Sequence, residues 1–222
     1  MAKQKVLVIA AHMDDEVLGC AGALLKHKAA GDRVSVIFVA HRIYNHQFNE
    51  KKNEVEKKHA LKAKKILGYD NAFFLGLNDE KLDACLQEMI IPLEKHVRAI
   101  KPDIVYLPFR QDNNQDHRAV FDAARVVLRP AATPFIKEVN MYEVASSTEQ
   151  SPSLQECAFL PNFYVDIKKY IYKKIKALGC YETERRIYPH PRSPEAVEVL
   201  AKKRGIEIGF EYAEAFNTIR RR

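Results

Sequence analysis

The sequence predicts an α/β fold: a mainly parallel, Rossmann-like sheet flanked by helices, forming a single domain over residues 1–222. Three observations carry that expectation. Residues 5–11 form a near-continuous apolar run, the pattern of a strand buried on both faces of a sheet. Strand-like runs then alternate with helix-patterned segments through the first half, as repeated βα units do. No internal repeat interrupts the chain, and no linker is long enough to mark a boundary.

The elements follow in order. Residues 17–30 place apolar side chains at helical spacing and stop at Gly31, a C-cap signal. Residues 33–40 read as a second strand. Residues 49–67 read as a long charged helix closed by Gly68, and residues 72–75 as a short third strand. Residues 82–100 read as a helix with Pro92 as a kink. Residues 103–107 form a fourth strand stopped by Pro108, and residues 116–128 a helix ended by Arg129-Pro130. Beyond that point the pattern loosens. Strands are expected at 136–144 and 163–167, on either side of a Ser/Thr/Pro/Gln-rich loop at 146–153. Helices are expected at 168–178 and 193–204, the second opened by Ser193 as N-cap, Pro194 at the first helical position and Glu195 in the first turn.

Composition excludes several classes. With 47% hydrophobic and 29% charged residues the chain reads as an ordinary soluble globular protein. No segment is apolar for long enough to span a bilayer, so no membrane insertion is expected. Cys20, Cys85, Cys157 and Cys180 lie far apart without a C-x-x-C pair, which suits a reducing compartment and a cytoplasmic location. The formal net charge is +7, concentrated in Lys51-Lys52, Lys57-Lys58, Lys62-Lys64-Lys65, Lys168-Lys169, Lys173-Lys174-Lys176 and Arg220-Arg221-Arg222. These runs read as solvated faces. Aromatic residues are not interleaved with them as a nucleic-acid platform requires, so no nucleic-acid partner is expected. A basic surface would also suit a small phosphorylated substrate.

The chemistry concentrates at two strand ends. Ala11-His12-Met13-Asp14-Asp15-Glu16 follows the first strand directly. One imidazole and three carboxylates this close repel or mispair unless something positive holds them. A divalent metal is one reading; an acidic helix N-terminus favoured by the macrodipole is the other. A second polar cluster, Arg110 through Arg118, follows the fourth strand. Doubly wound sheets place strands 1 and 4 side by side and bind ligands outside their carboxyl ends. Both clusters therefore point to one crevice, which favours the metal reading and makes His117 a ligand candidate. His27, His59 and His96 fall within helices away from those ends and read as surface residues.

Ala11-His12-Met13-Asp14-Asp15-Glu16 resembles the AHPDDE signature of the PIG-L/LmbE-like de-N-acetylases, and Asn114-Gln115-Asp116-His117-Arg118 resembles that family's second metal motif. The stretch 75–83 and the late block from Tyr188-Pro189-His190-Pro191-Arg192 through Phe216 extend the resemblance nearly end to end, towards the bacterial sugar-deacetylase branch. The resemblance implies a zinc enzyme that hydrolyses the acetamide of a small-molecule N-acetylglucosamine-type substrate and releases an amino sugar. It implies His12, Asp15 and His117 as metal ligands and Asp14 as general base. Three protein ligands leave a position open for water, as catalytic zinc sites do.

Two departures from the signature matter. Met13 replaces a proline without touching the chemistry, and Asn114 replaces a histidine and cannot act as an acid. His190 is the candidate acid in its place, or else a loop residue capping the Ser193 helix. Arg192 is expected to contact an anionic substrate group or to pair with Glu195. Glu16 is expected to orient a histidine or cap its helix, and Asp112 and Asp116 to support the His117 loop. Arg42, Tyr44, Asn45 and His46 follow the second strand, as pocket lining or as ordinary loop polarity; Asp79 is placed to hydrogen-bond sugar hydroxyls. The resemblance also implies that copies of the chain assemble. The alternatives are an amidase for a thiol conjugate or antibiotic-like glycoside, a two-metal phosphoesterase, and a binding module with a non-catalytic metal. No Gly-rich phosphate loop follows the first strand to support the last of these.

Overall fold

The computed structural model describes residues 3–44 and 46–222. A seven-stranded sheet runs through the molecule in the order β5-β2-β1-β6-β7-β9-β8. Its members are β1 (Lys5–Ala10), β2 (Arg33–His41), β5 (Asn71–Asn78), β6 (Ile104–Pro108), β7 (Glu138–Tyr142), β8 (Phe163–Asp166) and β9 (Ala213–Arg221). A short hairpin, β3 (Ile43–Tyr44) with β4 (Gln47–Phe48), stands apart from it. The helices are α1 (Asp15–Ala29), α2 (Glu50–Leu67), α3 (Leu86–Ile100), α4 (Gln115–Val127), α5 (Ile171–Leu178) and α6 (Pro194–Ile206). None of these described helices is long and apolar enough to cross a membrane.

β5, β2, β1, β6 and β7 pair in parallel, with β2 on one side of β1 and β6 on the other. The chain reverses its direction of travel across the sheet between β1 and β6, which opens a crevice at their carboxyl ends. Alternation explains why β1 is apolar throughout. Val6, Val8 and Ala10 face a core shared with α1, α2 and α5, while Leu7 and Ile9 face one shared with α3 and α4. Both faces are covered, so neither tolerates a polar residue.

Several boundaries differ from the sequence expectation. β5 is longer than 72–75, and α1 begins at Asp15 rather than Val17. The segment 82–100 divides into a 3₁₀ turn, Leu82–Ala84, and α3, which runs through Pro92 without a break. Asn49 caps α2 by accepting the Lys52 N–H, and Gly68 closes it in the left-handed conformation (φ 76°) that glycine adopts without strain.

The largest omission from the sequence reading is β9. It runs antiparallel to both β7 and β8, so Arg220 and Arg221 belong to the sheet rather than to a tail, although Arg221 stays solvent-exposed. β9 also brings Glu214 under α1, which departs from helical geometry at Cys20 (φ −148°). The Gly22 and Ala23 N–H groups beyond that break each donate to Glu214 at 2.8 Å. Lys174 completes the arrangement, donating to Glu214 at 2.7 Å and to the Leu18 carbonyl at 2.8 Å. The expectation of a solvated Lys173-Lys174-Lys176 face therefore fails for Lys174, which is buried. A side chain at Gly22 would meet Ile167 at 2.4 Å, so the close approach of α1 to the sheet end requires glycine.

Candidate metal centre and cavity

The loop leaving β1 and the first turn of α4 meet at the crevice between β1 and β6. His12 N–H donates to Asp15 Oδ2 at 2.8 Å, which fixes the turn into α1. Asp14 holds the N-cap position of α1 but makes no side-chain cap, and its φ of 137° lies in a region costly for any residue with a Cβ. Its side chain lines the cavity instead. Asn114 does cap its helix: its Oδ1 accepts the Asp116 N–H at 2.8 Å, leaving only its NH₂ group to offer the cavity.

His12, Asp15 and His117 bring ligand atoms within 4.8 Å of one another, as a group able to hold a metal ion requires. His12 Nδ1 lies 3.3 Å from His117 Nε2. His117 Nε2 lies 3.3 Å from Asp15 Oδ1. Those separations match the edge of a tetrahedron whose bonds to zinc are about 2.0–2.1 Å, roughly 3.3 Å. The outer nitrogens face carboxylates, His12 Nε2 to Asp116 Oδ2 at 3.0 Å and His117 Nδ1 to Asp112 Oδ1 at 3.2 Å. That is how metal-bound imidazoles are oriented and made more basic. Asp112 in turn accepts the hydroxyls of Ser147 and Thr148.

Buried oxygens without a hydrogen-bond partner gather here: Asp14 Oδ2, Asp15 Oδ1 and Asp116 Oδ1. Orphaned polar atoms are rare in interiors, and this many on one cluster of carboxylates calls for a cation. Protonation behaviour agrees. Burial works against the His117 cation, yet Asp15 and Asp112 outweigh it and lift the imidazole to about 10. Burial likewise opposes the Asp15 anion, yet His117 and His12 hold that carboxyl well below its ordinary range. The donor set therefore fits a divalent ion, which would take the place of the protons.

A cavity of about 590 Å³ opens above His12, and Asp14, Arg42, Asp79, Asn114 and Arg192 all line it, as do Glu56, Glu80 and Glu184. Asp79 accepts the Ile43 N–H at 2.7 Å, and burial raises its carboxyl. Burial also raises Asp14, and Arg192 pulls it back. The Arg192 Nη1 contact to Asp14 Oδ2 is an ion pair at 3.2 Å without hydrogen-bond geometry. Arg192 also meets Glu184, and its Nε donates to Ser146 Oγ at 2.7 Å. Arg42 pairs with the same Glu184.

Other expectations change. His190 is exposed and outside the cavity lining; its Nδ1 accepts the Arg192 N–H at 3.1 Å, which shapes the loop. Arg192 pairs with Glu184 and Asp14, not Glu195, because its loop turns it inward. Glu16 accepts the Tyr181 hydroxyl at 2.7 Å on the far side of the α1 turn, so it orients neither imidazole; burial raises it to about 8. His59 is buried beside Glu56, and His27 is largely covered between Asp32 and the Tyr106 hydroxyl, so neither is a surface residue. His46 points to Glu80, 3.0 Å away, outside the lining, and Asn45 lies outside the described residues. Glu184, Ser147 and Thr148 carried no sequence signal. They sit in loops or, for Thr148, a single 3₁₀ turn, and reach the site only through the tertiary fold.

Residues 7–128 match the family model described as PIG-L, GlcNAc-PI de-N-acetylase. Over 189 residues the chain is 27% identical to the uncharacterized deacetylase YaiS of Escherichia coli K12, covering 82% of this chain and 92% of that one. The N,N'-diacetylchitobiose deacetylase of Pyrococcus horikoshii superimposes with a TM-score of 0.77 at 20% identity, covering 98% of this chain and 84% of that one. GalB, the 4-carboxy-2-hydroxymuconate hydratase of Pseudomonas putida KT2440, superimposes with a TM-score of 0.76 at 20% identity, covering 99% and 97%. A deacetylase and a hydratase share this architecture, so the fold does not choose the reaction. The family match spans more than half of the chain and contains His12, Asp14, Asp15 and His117: the chain belongs to the PIG-L (LmbE-like) family of de-N-acetylases.

Proposed function

We propose that this chain is a zinc-dependent hydrolase that cleaves the acetamide of an N-acetyl amino sugar, releasing acetate and a free amine. The observation that carries the reading is the juxtaposition of a buried, partly unpartnered Asp14 carboxylate with the His12, Asp15 and His117 donor set at one cavity. His12, Asp15 and His117 would hold the ion. Zinc bound by three protein ligands supplies an acidified water and polarises the acyl oxygen.

The remaining steps belong to the chain's own residues. Asp14 accepts the proton of the attacking water as its oxygen bonds to the acetyl carbon. When the C–N bond breaks, Asp14 returns that proton to the leaving nitrogen. Arg192 favours the ionised form of this carboxylate against the burial that raises it. Asp79 and the Asn114 amide are the groups offered to sugar hydroxyls. Purified wild type and Asp14→Asn, assayed for amine release from N-acetylglucosamine compounds with bound metal quantified in parallel, test the reading. Amine from wild type only, with equal metal in both, supports it; amine from neither with metal bound removes the acetamide assignment.

A further inference from the structure

The cavity has the opposite character from the chain that surrounds it. The protein carries a net charge of +7. The cavity is lined by six carboxylates, those of Asp14, Glu56, Asp79, Glu80, Asp116 and Glu184, against the guanidiniums of Arg42 and Arg192, and no lysine lines it among the described residues. A divalent ion on the donor set still leaves the carboxylates in the majority.

Both guanidiniums are moreover engaged by one group. Glu184 is buried, and Arg42 and Arg192 each form an ion pair with it. Arg192 is further held by Ser146 and Asp14. A phosphate entering the cavity would either share an arginine with Glu184 or draw one away, and in both cases it would sit beside a buried carboxylate. Breaking one side of such a pair is costly, and like charges close together in a partly desolvated site repel strongly. An amine meets the reverse situation, a cavity in which carboxylates outnumber guanidiniums.

We propose that Glu184 is a specificity-determining residue: by clamping Arg42 and Arg192 it restricts the cavity to saccharides that carry no phosphate or nucleotide, either uncharged or already bearing free amines. This rests on the saccharide reading above and narrows it. It also separates the cavity from the basic surface, whose charge would otherwise suggest a phosphorylated substrate.

The test uses matched pairs on the zinc-loaded chain. Binding of glucosamine and glucosamine 6-phosphate is measured by calorimetry. Amine release is measured from N-acetylglucosamine, its 1-phosphate and its 6-phosphate. The unphosphorylated member of each pair is expected to bind, and to react by kcat/KM, at least about tenfold better. Glu184→Gln, which keeps the shape but releases the arginines, is expected to shrink that preference to within about threefold. Phosphorylated members preferred by wild type would overturn the proposal and leave the deacetylase reading standing. An unchanged preference in a folded Glu184→Gln would remove Glu184 as its cause. Neither binding nor turnover of any member would sink the saccharide reading and this inference with it.

Discussion

Two buried charge clusters lie at opposite ends of the first turns of α1, and they differ in one respect. At the break near Cys20, Glu214 accepts two backbone N–H groups and a lysine, and Lys174 donates to Glu214 and a carbonyl. Both side chains have their partners within the chain. At the mouth of β1, the carboxylates of Asp14, Asp15 and Asp116 each keep a buried oxygen without a hydrogen bond. The first cluster is closed and holds the fold together. The second is open, as the proposed metal and substrate would require. What distinguishes a structural from a functional buried charge is completeness of partnering, more than burial itself.

Substitutions should separate the two clusters. Asp14→Asn should lower amine release by about 10²–10⁴-fold while leaving the thermal midpoint and metal content near wild type, since its polar contacts are incomplete. A proportional loss of folded protein would place Asp14 with the structural cluster instead. Glu214→Ala should do the reverse, costing roughly 3–5 kcal/mol in denaturant unfolding by stranding Lys174 and two N–H groups. Zinc affinity per folded molecule should change little.

The outer supports of the metal cluster should show an intermediate effect. Ser147→Ala with Thr148→Val removes both hydroxyls from Asp112, and zinc should then bind about 10–100-fold more weakly in competition with a chelator. The smallest effect concerns the surface. Burial raises Asp70, but Lys28 and the Val34 N–H outweigh it and hold its carboxyl below the ordinary range. A carboxyl lowered on folding stabilises above its unfolded value of about 3.9, and that contribution disappears as pH falls through the lower folded value. Asp70 is largely exposed, so Asp70→Asn should cost less than about 1 kcal/mol at pH 7 and nothing well below that window. Urea unfolding at both pH values reads the difference.

The same contrast explains what could be read from the sequence. The candidate metal cluster was legible because its residues are local. His12, Asp14 and Asp15 follow an unmistakable buried strand, and His117 opens the helix after another, so residue type and strand end together locate the crevice. The parallel strands were legible because burial on both faces leaves little but apolar residues. Glu214 and Lys174 were hidden because a charge satisfied inside the fold looks, in sequence, like a charge in water. β9 was hidden for a related reason: its first four residues are all buried, a glutamate among them, so it lacks the alternation that marks a strand. Glu184 and Ser147 meet partners far along the chain, Ser147 with Asp112 at a separation of 35 residues, and loop sequence carries no trace of that pairing. Even the Glu16 orientation depended on Tyr181, a partner supplied from the other half of the chain.

Zinc titration followed by calorimetry, on wild type, Asp14→Asn and His117→Ala purified without metal, tests the open cluster most directly. The account predicts about one tightly bound ion per chain in wild type and Asp14→Asn, and none of comparable affinity in a folded His117→Ala. Wild type that binds no ion, or a His117→Ala chain that binds as tightly as wild type, would contradict it.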